Sequence, residues 1–202
     1  MRVGTMFFGT VDEIEGQSIQ TKFFIFGMPL FPVASYYVMS ETVNGVQGFE
    51  IPVHTKSMAL GFIRVWMMAP FGLAAFWWLT DEGSWIWMAL VAIAWVVLTF
   101  FVGGLSAEER RIRKPLGDIT GIYADPELLP HDTRSGILDS LRERWIALTV
   151  EHGLEDWETV RAVPELAVRV APLVVALHHY SKACEGSDEW ATASQEALAL
   201  LD

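Results

Sequence analysis

Two long apolar runs constrain this chain more than any other feature. "ALGFIRVWMMAPFGLAAFWWL" covers Ala59 to Leu79 with one charge, Arg64, near its start, and "WIWMALVAIAWVVLTFFVGGL" covers Trp85 to Leu105 with none. Each reaches the roughly 20 residues that a bilayer-crossing helix needs. Only "TDEGS" separates them, so the pair reads as a tight antiparallel helical hairpin. Trp77, Trp78, Trp85 and Trp87 gather at its tip, as an aromatic belt at the headgroup level would. Gly61, Ala69, Gly72, Ala74 and Ala75, facing Ala89, Ala92 and Ala94, permit close backbone approach, and Pro70 is expected to kink the first helix.

Charge gives this hairpin an orientation. Lys56 and Arg64 flank the first run, and "EERRIRK" places Arg110, Arg111, Arg113 and Lys114 after the second, whereas the connecting loop holds only Asp81 and Glu82. The positive-inside rule then puts both termini in the cytoplasm and the loop outside, as expected for a multi-pass protein of an inner (plasma) membrane. Arg64 sits shallow enough to snorkel to the headgroups. The four basic residues after the second run, with the four tryptophans, are the expected membrane-anchoring set, and the lipid bilayer is the first expected partner. No basic segment followed by an apolar one opens the chain, where Asp12, Glu13 and Glu15 already appear, so no cleaved signal peptide is expected.

The first third reads as β-structure. In "TKFFIFGMPLFPVASYYV", Thr21 to Val38, the apolar run is too short to span a bilayer, and Pro29 and Pro32 disfavour a helix. "SIQTKFFIF" and "VASYYVM" are rich in aromatic and β-branched residues, with turn chemistry in "GMPLFP" between them. "GFEIPVH" follows the turn-like "VNGVQG", and "VGTMFFGTV" precedes the acidic "DEIEGQ" turn. Four short antiparallel strands over residues 1–56 are expected. Alternation along them is poor, which predicts that one face lies against the bilayer, the helical hairpin or another subunit.

"GTMFFG", "TKFF", Pro29 and Pro32 leading into "SYYV", and "IPVH" together resemble the opening of a group of uncharacterised bacterial membrane proteins, over the first 55 residues or so. Ala34 stands where that pattern carries a basic residue, and Phe23 where tryptophan is common. The resemblance implies a membrane protein and brings no catalytic assignment.

Beyond residue 114 the character changes. Residues 107–134 read as a basic anchor and a turn-rich linker, and residues 135–202 as a helical bundle. From Pro115 to Asp202 there are sixteen acidic and six basic residues, which accounts for most of the net charge of −11. Ile137, Leu138, Leu141, Trp145 and Leu148 form one helical stripe, capped by Ser135 or Asp132 and ended by Gly153. "LEDWETVRAV" makes a shorter helix. "PELAVRVAPLVVALHHYSKAC" is apolar on most sides and predicts a central helix, and a last one runs from about Asp188 to Leu201.

Nothing here builds a catalytic centre. His178 and His179 are adjacent, so they point about 100° apart and cannot share a metal from one face. With Cys184 they are the only residues an enzyme reading could use, and the single cysteine excludes an internal disulfide or a cysteine-based zinc site. No catalytic residue, metal or cofactor is expected. The acidity argues against nucleic acid. The sequence therefore predicts an integral membrane protein of mixed class, with a small N-terminal antiparallel β-unit, a transmembrane helical hairpin (57–106) and a C-terminal acidic α-helical bundle. Its expected function is a membrane-anchored protein-interaction scaffold whose residues 125–202 dock a cytoplasmic protein partner. The alternative is a subunit of an oligomeric membrane complex or pore, and a homo-oligomer fits either reading.

Overall fold

A computed structural model describes residues 3–26, 28–42, 45–66, 68–79, 85–100 and 102–201. They fall into two units, Met1–Leu105 and Ser106–Asp202.

The first unit is built on an antiparallel sheet in the order β1-β2-β3-β4, with β1 Val3–Ile14, β2 Gln17–Phe26, β3 Met28–Thr42 and β4 Gly45–Ile51. Glu15 (φ 48°) and Gly16 (φ 78°) make a two-residue turn between β1 and β2, with positive φ at both positions as a type I′ hairpin requires. Pro29 and Pro32 lie within β3 and not in a turn. They pair with Ile25 and Phe23, whereas β4 pairs with β3 only from Ser35 to Thr42. The proline half of β3 thus lacks a β4 neighbour, and edge backbone tolerates the missing donors. Gly27, at the tip of the expected "GMPLFP" turn, lies outside the described residues.

Helix α1, Thr55–Trp66, packs against β1, β2 and β3. Val11, Ile19, Phe23, Tyr37, Val38 and Ile51 of the strands and Leu60 of α1 belong to the core, all at most 4% exposed. Burying a side chain of this size contributes about 1.5–3 kcal/mol. The phenyl ring of Phe23 meets Phe8 and Phe62 edge-on at 6.1 and 5.0 Å. On the opposite face Phe7 and Tyr36 stack edge to face at 5.4 Å, and the Lys22 ammonium lies 5.9 Å from Phe7 and 6.0 Å from Tyr36.

Helices α2, Met68–Leu79, and α3, Trp85–Phe100, pack on each other. Here the expected membrane architecture is overturned: among the described residues, no helix is long and apolar enough to cross a membrane. Helices α1 and α2 have 12 residues each and α3 has 16. At 1.5 Å per residue these reach roughly 18 and 24 Å, against about 30 Å of hydrocarbon. The physical reason lies at the ends of the two runs. The first begins in α1, whose inner face serves the sheet core. The second ends at Gly103 (φ 107°), whose carbonyl accepts from the Asp12 N–H at 2.9 Å. The transmembrane hairpin, the multi-pass topology with cytoplasmic termini and the inner-membrane localisation lose their basis together. Met67 and residues 80–84 lie outside the described residues, and Pro70, expected to kink the first run, falls in the first turn of α2, where its missing N–H breaks no helical hydrogen bond.

The charges read as flanking a span have protein partners. Lys56 pairs with the buried Asp12 carboxylate at 2.5 Å and donates to the Gly104 carbonyl at 3.0 Å. Arg64 does not snorkel. It donates to the carbonyls of Thr10 and Val102 at 3.0 and 3.2 Å, and burial lowers its pKa.

The second unit is helical: α4 Ala107–Thr120, a 3-10 turn Pro126–Leu128, α5 His131–His152, α6 Trp157–Arg161, α7 Pro164–Glu185 and α8 Ala191–Leu200. The central α7 packs against α4, α5, α6, α8 and the 3-10 turn. That explains why Val170, Ala171, Val174, Val175, Ala176 and Leu177 are all buried around its circumference. Gly121, Gly153 and Gly186 end α4, α5 and α7 in the left-handed conformation. The stretch expected as anchor and linker instead contains α4.

Candidate functional site

The residues read as a membrane anchor do not act as one group. On α2 and α3, Trp77, Trp78 and Trp87 are exposed, among Leu73, Phe76, Leu79, Leu90 and Ile93. The side chain of Trp85, at the start of α3, lies outside the described residues. The basic cluster on α4 splits. Arg113 turns inward and is 8% exposed, whereas Arg110, Arg111 and Lys114 face outward.

Each half of the cluster borders a cavity. The inward half lines a small cleft of about 120 Å³ with Glu109, Asp125 and His179. Glu109 serves the fold there. Its carboxylate accepts from the Ser106 N–H at 2.9 Å while Ser106 Oγ accepts from the Glu109 N–H at 3.1 Å, closing a capping box at the start of α4. The outward half lines a wider groove of about 420 Å³, which the sequence reading missed because its other wall, Pro172 and Leu201, comes from far along the chain.

The histidine pair is half-buried, with ring centroids 5.1 Å apart. Burial, reinforced by His178, lowers the pKa of His179 to about 4, against a weaker upward pull from Asp125. Burial and then Lys182 lower His178. Both imidazoles are neutral at pH 7. Burial raises the Cys184 thiol, so it is protonated and a poor nucleophile at that pH. Tyr180, buried beside them, is pushed up to about 12, chiefly by burial. Among the described residues, no cluster of three or more His, Cys, Asp or Glu side chains is placed to hold a metal ion.

One buried polar network lies in the first unit. The His54 N–H donates to Ser35 Oγ at 2.9 Å, and Thr21 Oγ1 lies 2.9 Å from both Ser35 Oγ and Ser57 Oγ. Ser57 Oγ donates to the Gly9 carbonyl at 2.6 Å. Thr21 has one hydroxyl proton and gives it to Ser57, so Ser35 must donate to Thr21. The chain of donors runs in one direction, from His54 through Ser35, Thr21 and Ser57 to Gly9. Ser57 is fully buried with its proton committed to a carbonyl, which makes it a structural staple and no nucleophile.

A different surface stands out on α5. Ile146 and Val150, one turn apart, are 59% and 75% exposed, and Glu143 and Asp139, one and two turns before Ile146, are exposed too. The sequence carried a signal for them. They fall off the stripe of Leu138, Leu141 and Trp145, which is buried against the bundle. The chain thus defines a class, a mixed α/β protein with a four-stranded antiparallel sheet and a separate acidic helical bundle. No protein-family model, curated protein or solved structure matches it.

Proposed function

We propose that the chain is a protein-interaction module whose acidic helical unit docks a partner along the outer face of α5. The observation that carries this reading is the exposed Ile146–Val150 stripe with the exposed carboxylates of Glu143 and Asp139 in line with it. Exposed apolar side chains at helical spacing, bordered by carboxylates, complement a partner helix with apolar anchors and basic flanks. A photo-crosslinking amino acid at Val150, in the full chain in its native cells, tests it. The expected result is a single heterologous adduct, lost in Ile146→Asp, weakened in Glu143→Lys and retained in Lys182→Gln. Adducts only between copies of the chain would overturn it.

A second reading, a subunit of a homo-oligomer, is favoured by the α2–α3 surface. Leu73, Leu79, Trp87 and Ile93 are 61–73% exposed. Contiguous apolar surface of this kind marks an interaction site. Light scattering of the purified full chain would give a multiple of 22.6 kDa. A strictly monomeric mass would sink this reading.

A further inference from the structure

We infer that the groove between α4 and α7 binds a small phosphate ester with an apolar body. Arg110, Arg111 and Lys114 line one wall, all exposed, and span about one turn of α4. Side chains four residues apart on a helix are neighbours, so a single dianion can reach Arg110 and Lys114 together. Arginine offers a planar fork that matches phosphate oxygens, and lysine adds a point charge. Among the described residues neither Arg110 nor Lys114 forms an ion pair. Asp118, the one carboxylate among the described residues that line the groove, accepts from the Tyr123 hydroxyl at 3.2 Å.

The rest of the lining is apolar, formed by Ala107, Pro115, Pro172 and Leu201. Cations above a rigid, largely aliphatic floor match a ligand charged at one end only. The volume of about 420 Å³ lies in the range of small-molecule pockets. The surrounding unit is acidic, which repels anions at long range. Only a ligand that contacts Arg110 and Lys114 directly, and gains from the floor, overcomes that field. A dianionic phosphate monoester does so better than a singly charged carboxylate. This site lies on α4, away from the α5 stripe, and stands or falls independently of the docking proposal.

Calorimetric titration of the full chain with phenyl phosphate tests it, with inorganic phosphate, benzyl alcohol and phosphatidic acid vesicles as parallel probes. Phenyl phosphate is expected to bind saturably and at least tenfold more tightly than inorganic phosphate, and benzyl alcohol not at all. Arg110→Gln and Lys114→Gln should each weaken phenyl phosphate at least fivefold, with an unchanged circular dichroism spectrum. Leu201→Ser should weaken phenyl phosphate and leave inorganic phosphate unaffected, and Lys182→Gln should change neither. Equal binding of phosphate and phenyl phosphate, or binding indifferent to the α4 variants, would overturn the proposal. So would binding to vesicles alone, since that assigns the charge to lipid and leaves the groove empty.

Discussion

Five side-chain and backbone groups, on β1, β2, β3, the start of α1 and His54 just before it, are joined by one unidirectional hydrogen-bond chain, and its members explain short stretches of the sequence that otherwise look unrelated. Gly9 ends "GTMFFG", Thr21 opens "TKFF", Ser35 opens "SYYV" and His54 ends "IPVH". Each was visible as part of a pattern, but its purpose depended on pairing across up to 48 residues. Gly9 is the tightest point. It has φ 72°, and a Cβ there would run into the Ser57 carbonyl oxygen. Gly9→Ala is expected to cost about 2–4 kcal/mol, read as a lower urea midpoint with an unchanged slope. A loss below about 0.5 kcal/mol would show that the helix does not press on β1. His179 makes a pH prediction. Its pKa is 6.5 unfolded and about 4 folded, so between those values the unfolded chain binds the extra proton. Stability therefore falls as pH drops from 6.5 to 4, by roughly 3 kcal/mol over the full range. His178, lowered in the same sense, adds to the fall, and Asp125 opposes it. Denaturation of His179→Gln at pH 6.5 and pH 5 should show a shallower fall than the parent chain, and parallel curves would refute the assignment.

At the scale of elements, caps and turns carried most of the readable information. Gly153 and Gly186 mark the ends of α5 and α7 where the sequence places them. The start of α4 was equally legible, since Ser106-x-x-Glu109 is a capping box, yet the basic run behind it suggested an anchor and the helix was read as a linker. Ser106→Ala should destabilise the second unit by about 1 kcal/mol and speed hydrogen exchange at the Glu109 amide. An unchanged exchange rate there would contradict the cap. The β3 prolines went the other way. Turn chemistry was the local reading, and the register with β2 and β4, a non-local property, made them edge residues. Ile146 and Val150 show a third case: the spacing of Leu138, Leu141 and Trp145 marks the helix, which starts at His131 after Pro130 without a cap from Ser135 or Asp132, but that spacing is silent on the exposed pair off the buried stripe.

At the scale of the whole molecule, two units divide the chain at residues 105 and 106, and the helical one is organised around a helix buried on nearly every side. A fragment of residues 106–202 should therefore unfold cooperatively on its own, at the same urea midpoint as one of two transitions of the full chain. A fragment without a cooperative transition would show that the first unit completes its core. The sequence by itself determined the strands, the central helix and the concentration of acid in the second half, because periodicity, capping and composition are local properties. Only the tertiary structure decided what the apolar runs and the cations are for. Length and hydropathy say that a segment avoids water, not what shields it. Ser57, Leu60 and Gly61 turn α1 onto a sheet, Asp12 and two backbone carbonyls claim Lys56 and Arg64, and a distant proline and leucine turn a basic run into one wall of a groove.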